Sequence, residues 1–133
     1  MLSCMQDKTR ELLSTGKYAV LTTMMPNGAP SSHMMWAGCD DEGHVLINTE
    51  IHRRKFKNMG IGAKATVLVF ENNFSWAEVR GTVVEHIGGQ VARDHIDTLS
   101  QVYTGAPYAN PIQTERVVVR ISPDYEFVFP PSQ

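Results

Sequence analysis

The sequence predicts a mainly β protein, a small closed antiparallel barrel of six or seven strands with short flanking helices. Runs of β-branched and aromatic residues recur at short intervals, divided by Gly, Asn, Asp and Pro turn signals. Only three stretches have helical character. At 133 residues the chain fits a single domain, 1–133, able to bury a core without metal or disulfide support. A two-sheet sandwich is the alternative arrangement of the same strands.

The elements follow in order. Ser3 to Ser14 reads as an amphipathic helix with Met5, Leu12 and Leu13 inward and Gly16 as its stop. Tyr18 to Met24 is a strand, and Pro26-Asn27-Gly28 turns it into a second, Ala29 to Trp36. Asp40-Asp41-Glu42-Gly43 turns the chain again, into a strand from His44 to Thr49. A basic helix spans His52 to Met59. Ala65 to Glu71 is almost continuously apolar, as a central strand would be.

Asn72-Asn73 then leads into a long strand, Phe74 to Glu85. Its alternation sets Ala77, Val79, Gly81 and Val83 on one face and Trp76, Glu78, Arg80 and Thr82 on the other. Gly81 in mid-strand marks a bulge or a close backbone approach. Gln90 to Tyr103 is a helix with Val91, Ile96, Leu99 and Val102 inward. After a loop from Gly105 to Thr114, Arg116 to Ile121 is a strand. Ser122-Pro123-Asp124 is expected to turn it into a last short strand, Tyr125 to Phe129, before Pro130-Pro131 stops further pairing.

Composition narrows the function. A net charge of −2 and a pI near 6.2 disfavour nucleic acid and membrane surfaces, which call for a broad basic face. Cys4 and Cys39 lie far apart, so neither a disulfide framework nor a zinc motif is indicated, and a reducing cytoplasm is the expected setting. Five scattered histidines (His33, His44, His52, His86, His95) have no metal-ligand spacing. The opening residues become charged too soon for a secretory signal, and no apolar run approaches membrane-spanning length.

Against this neutral background one cluster stands out. Val45-Leu46-Ile47 is followed by Asn48-Thr49-Glu50-Ile51-His52 and then Arg53-Arg54-Lys55 at a helix start. Unpaired N–H groups and three cations at such a start make an anion seat, Arg forking onto two oxygens and Lys adding a movable charge. The stretch therefore reads as a strand-turn-helix grip for a phosphorylated small molecule. A solvated basic helix face is the alternative reading of the same residues.

Taken together, these segments resemble the pyridoxamine-phosphate-oxidase-like split β-barrel superfamily, and within it the branch that uses the deazaflavin coenzyme F420. The resemblance runs through Gly16-x-Tyr18-Ala19-Val20-Leu21-Thr22-Thr23, Asn27-Gly28-x-Pro30, Ile47-Asn48-Thr49 and Arg53-x-Lys55-x-x-Asn58-Met59. It continues through Trp76-x-x-Val79-x-Gly81, Tyr103-Thr104-Gly105 and the closing Arg116-to-Pro123 segment. It implies a homodimeric split barrel with its site at the subunit interface. Arg53, Arg54 and Lys55 would then hold the phosphate, and Asn58 would be a further cofactor-binding residue. Pro30, Ser31, Ser32, Asn48 and Thr49 would contact the ring, and Trp76 would come from the partner.

The resemblance implies hydride transfer between the cofactor and a small conjugated organic substrate. FMN is the alternative cofactor, because Arg54 stands one position before Lys55 and Arg53 two positions before it, which satisfies both branches. A non-enzymatic flavin, haem or other tetrapyrrole carrier is a further alternative. The C-terminus, Tyr-Glu-Phe-Val-Phe-Pro-Pro-Ser-Gln, lacks the arginine-rich segment of the vitamin-phosphate oxidases, which disfavours pyridoxamine phosphate as substrate. Tyr103 and Glu78 are candidate proton donors, and the pairs Met24-Met25 and Met34-Met35 candidate pocket walls.

Overall fold

The computed structural model describes residues 5–131. The helix start expected at Ser3, together with Cys4 and the last two residues, lies outside them. Seven strands form one antiparallel sheet: β1 (Tyr18–Met24), β2 (Pro30–Met35), β3 (Gly38–Cys39), β4 (Val45–Glu50), β5 (Lys64–Asn72), β6 (Ser75–Ile87) and β7 (Arg116–Phe129). Their order across the sheet is β2-β1-β5-β6-β7-β4-β3. Hydrogen bonding does not join β2 to β3, so the barrel stays open there. The split form holds, and the full closure expected from strand number alone does not.

The inner face carries Leu21, Val67, Val69, Val79, Val83, Ile121, Ile47 and Val45, all at most 2% exposed. Burying each such side chain stabilises the fold by about 1.5–3 kcal/mol. Helix α1 (Asp7–Ser14) covers this core with Thr9, Leu12 and Leu13. Glu126 on β7 anchors the helix start, its Oε2 accepting the Gln6 amide at 3.1 Å and the Thr9 hydroxyl at 2.7 Å.

Strand β7 departs from expectation. Ser122-Pro123-Asp124 makes no turn, and pairing with β6 continues through it, with a register shift between Arg80 and Gly81. The local turn preference loses to a long partner strand. Pro123 is tolerated because β4 pairs only with residues 116–121, so its missing N–H costs no ladder bond on that side. Gly81 is the second half of the fit. A methyl group there would lie 2.5 Å from Ile121 Cγ2 and 2.6 Å from the Ser122 carbonyl oxygen.

Helix α2 (Arg54–Lys57) is a single turn, shorter than the expected His52-to-Met59 helix, and Arg53 precedes it in an extended conformation. Helix α3 (Gly89–Thr104) buries Ala92, Ile96, Leu99 and Ser100. Ile96 and Leu99 face inward as expected. Val91 and Val102 do not, being 59% and 45% exposed. Small residues hold the inward line instead, because α3 packs closely on β4 and β7: the Ala92 carbonyl accepts a hydrogen bond from Asn48 at 2.9 Å. The two-residue β3 went unread, being too short to show a period.

The Gly81 contact yields a test. Gly81→Ala forces apart β6 and β7, the most extensively paired strands, and should lower stability by about 1–3 kcal/mol. A urea midpoint shifted down with unchanged slope is the expected result; an unshifted midpoint would refute the close-packing account.

Candidate functional site

Asn48 and Glu50 share one face of β4 and stand opposite Val118 and Arg116 of β7. Alternation along each strand puts these polar groups on the face away from the barrel core, under α3. Three of them form one buried network. Arg116 Nε donates to Asn48 Oδ1 at 2.8 Å, and Arg116 Nη1 lies 3.5 Å from Glu50 Oε2. Arg53 Nη2 reaches the same Glu50 oxygen at 3.7 Å. The other oxygen, Oε1, accepts the amides of Gln113 and Thr114 at 2.8 and 2.6 Å and the Thr114 hydroxyl at 3.2 Å.

Burial pushes the Glu50 pKa up, but the bonds from Thr114 and Gln113 and the nearby Arg116 charge outweigh it. The carboxyl is held below its ordinary range. Arg116 is drawn down by burial, against the pull of Tyr108 and Glu50. Asn48 passes the polarity on. Since an arginine only donates, Asn48 Oδ1 faces it and Nδ2 donates to His95 Nδ1 at 3.0 Å. His95 is thereby the neutral tautomer protonated at Nε2, and burial followed by the Arg116 charge lowers its pKa.

Above this network opens a cleft of about 320 Å³. Arg53, Lys55 and Arg116 give it a cationic end. Met34, Met35, Trp36 and Tyr108 give it an aromatic and thioether wall, and Ile96 and Leu99 come from α3. Tyr108 lies over the Arg116 guanidinium, 5.2 Å from ring centroid to Cζ, and meets Trp36 edge-on at 6.2 Å. Lys55 is half-buried, and its pKa is lowered by that burial and by the Arg53 charge. Of the three cations, Arg53 and Arg116 pair with Glu50, and Lys55 has no carboxylate partner among the described residues.

Of the residues expected from sequence, Asn48, Thr49, Arg53 and Lys55 meet in this cleft. Asn58 braces it from below, donating to Thr23 Oγ1 at 3.1 Å and Met25 Sδ at 3.4 Å, which ties α2 to β1. Arg54 is exposed outside the lining. Pro30, Ser31 and Ser32 lie along β2 toward its other end, where Ser32 bonds Thr22 at 2.7 Å. Trp76 belongs to a separate region, stacked on Phe127 and Phe129 at 5.5 and 5.6 Å.

Both proton-donor candidates already have hydrogen-bond or ion-pair partners. The Tyr103 hydroxyl donates to the Lys17 carbonyl at 2.7 Å and accepts the Ala37 amide at 3.2 Å, and burial raises its pKa. Glu78 pairs with Arg80 at 3.2 Å on the outer face of β6. Sequence reading missed Arg116, Trp36, Tyr108 and Asn110 as lining residues. Two signals could have found them: an arginine opening an apolar strand must bury its charge against a partner, and a proline-bearing loop after α3 is unusually long.

A second charged cluster, Asp40, Glu42 and His44, is spanned by Arg120. Its guanidinium lies 3.1 Å from Asp40, 2.8 Å from Glu42 and also bonds Glu85. The chain itself supplies the cation there, and the contact fastens the 40–43 turn to β7.

Fold and cleft define an open β-barrel with a cationic pocket beside an aromatic wall. Residues 5–128 match the pyridoxamine 5'-phosphate oxidase family, and the chain belongs to it. Among solved structures it is similar to an F420 reductase (TM-score 0.78, 22% identity, 92% of this chain and 98% of the other). It is also similar to general stress protein 26 of Bacillus anthracis (0.70, 17%, 95% and 94%). A third likeness is to the FAD binding protein of Mycobacterium smegmatis (0.63, 11%, 95% and 96%). At these identities the likeness is one of fold. No curated protein matches the chain in sequence.

The Glu50 network makes two predictions. Glu50→Gln leaves Arg116 buried without a counter-charge and should cost about 3–5 kcal/mol in a denaturant titration. Because the folded Glu50 pKa is depressed, its contribution is complete above the unfolded carboxyl value and is lost as pH falls through the folded one. Acid unfolding of the unaltered chain should therefore be steeper than that of Glu50→Gln; equal pH slopes would remove the carboxylate from the account.

Proposed function

We propose that the chain is an oxidoreductase that uses coenzyme F420 to transfer a hydride to a small conjugated organic molecule. The observation that carries this is the unbalanced charge of the cleft, three cations against one carboxylate, set beside a flat aromatic wall. A ligand with a phosphorylated tail and a planar ring satisfies both halves. The likeness to an F420 reductase supports the deazaflavin. The likeness to an FAD binding protein and the paired arginines before Lys55 keep FMN as the alternative.

The residues present fit such a group. Arg53 and Lys55 would hold the phosphate from the exposed side, and Arg116 would face it from the buried side. Trp36, Met34 and Met35 offer apolar surface for a ring, and Asn48 and Thr49 polar contacts at its edge. When bound, a reduced deazaflavin or flavin supplies the hydride. The chain's part is orientation, charge neutralisation and exclusion of water.

The outer face of the sheet supports a homodimer. Register aligns Tyr18, Phe70, Trp76 and Phe129 across four adjacent strands, a continuous aromatic row. Tyr18 stacks on Phe70 at 5.7 Å, and Trp76 on Phe129. Phe74, 70% exposed, stands nearby. A second copy of the chain would cover this row. Trp76 would then act at the seam, and Pro30, Ser31, Ser32 and Arg54 would complete a site that one chain leaves partly built.

Titration of the purified protein with F420 and, separately, with FMN, followed by fluorescence, tests the cofactor. Binding of F420 in the micromolar range, about −8 kcal/mol, is expected. Lys55→Glu should weaken it at least tenfold by reversing the field at the phosphate; unchanged affinity would refute the grip. Trp76→Glu should shift sedimentation from dimer toward monomer, and an unaltered chain that sediments as a monomer would refute the seam.

A further inference from the structure

We propose that a second pocket, beside the cationic cleft, binds an uncharged, flat aromatic or conjugated molecule independently of any ligand in the cleft. This does not rest on the cofactor reading above. The pocket has a volume of about 430 Å³, within the range of roughly 300–1,000 Å³ found for small-molecule sites. It lies between the end of α1 and the end of β2.

Two features define what it accepts. The first is its relation to the cleft: Met34, Met35 and Trp36 line both. One face of this short segment fronts the cations, and the same residues wall the apolar chamber. A molecule in the second pocket is therefore separated from a ring in the first only by adaptable thioethers and one indole. The second feature is chemistry. Beyond that shared wall the lining is Gly16, Tyr18, Ala19 and Tyr103, with no carboxylate, ammonium, guanidinium or imidazole.

Two polar groups at its edge are already occupied. The Tyr103 hydroxyl is shared between the Lys17 carbonyl and the Ala37 amide. The Lys17 ammonium pairs with Glu71 at 3.3 Å. A charged ligand entering here would lose water and meet no opposite charge. A planar neutral one would meet Trp36 and Tyr103, which stack on each other at 5.2 Å and 16° and so form a rigid aromatic wall. The two compartments thus sort ligands by charge, an anion to Arg53 and Lys55 and a neutral ring to Tyr18 and Tyr103.

Two naphthyl probes of matched size read this directly. Neutral N-phenyl-1-naphthylamine should bind and fluoresce with the unaltered protein already saturated with F420 or FMN. Its sulfonated analogue, 1-anilinonaphthalene-8-sulfonate, should be displaced by either cofactor. Tyr18→Glu should weaken the neutral probe at least tenfold, whereas Phe70→Glu, in the same aromatic row but outside the pocket lining, should leave it within twofold. Tyr18→Phe should leave probe and cofactor affinity intact, and Lys55→Glu should weaken the cofactor alone.

Displacement of the neutral probe by cofactor in proportion to cofactor bound would overturn the proposal, as would unchanged probe affinity in Tyr18→Glu. Binding of the neutral probe, sensitive to Tyr18→Glu, in a protein that takes up neither cofactor would sustain the pocket while ending the cofactor reading.

Discussion

Glu50 is a carboxylate 1% exposed at the end of a strand, and the shape of the cleft follows from how its two oxygens are used. One oxygen is consumed by backbone and hydroxyl donors of residues 113 and 114, which pins the end of the loop that carries Tyr108 and Asn110. The other faces two arginines, one buried and one half in water. A buried charge this well satisfied tolerates little displacement, so the loop, Arg53 and Arg116 hold fixed positions relative to β4. Loss of any one partner would leave another buried without compensation.

The same arrangement explains why the site is electrostatically unfinished. Glu50 can neutralise one of the three cations, and Arg53 opposes both Lys55 and Arg116. A folded protein that keeps like charges close together, with one partly desolvated, is less stable than it could be. An incoming anion removes that strain, and its binding is correspondingly strengthened. The arrangement favours a compact anion with several oxygens over an extended polyanion, since the cations converge on one cleft.

Much of this was legible in the chain itself, for identifiable reasons. Strand 65–71 declares itself by a nearly unbroken apolar run, and strand 74–85 by alternation, because one face of the latter is buried and the other is not. The basic cluster was visible because it contrasts with a neutral composition. What escaped were features set by pairing at a distance. Ser122-Pro123-Asp124 has every local mark of a turn, yet β6 holds it extended. The inward line of α3 was misjudged by its valines, because the closeness of β4 and β7 selects Ala92 and Ser100. Arg116 looked like an ordinary strand residue until pairing set Glu50 opposite it and Asn48 within reach, since register is what makes neighbours of residues far apart in sequence.

The chain has two tryptophans, and the fold assigns them to different neighbourhoods. Trp36 belongs to the wall between cleft and pocket, against Tyr103 and Tyr108, whereas Trp76 lies in the outer aromatic row with Phe127 and Phe129. The molecule therefore contains two optical reporters on separate channels. Replacing either indole by phenylalanine isolates the emission of the other, so occupancy of the interior and association at the exterior become distinguishable without any attached dye.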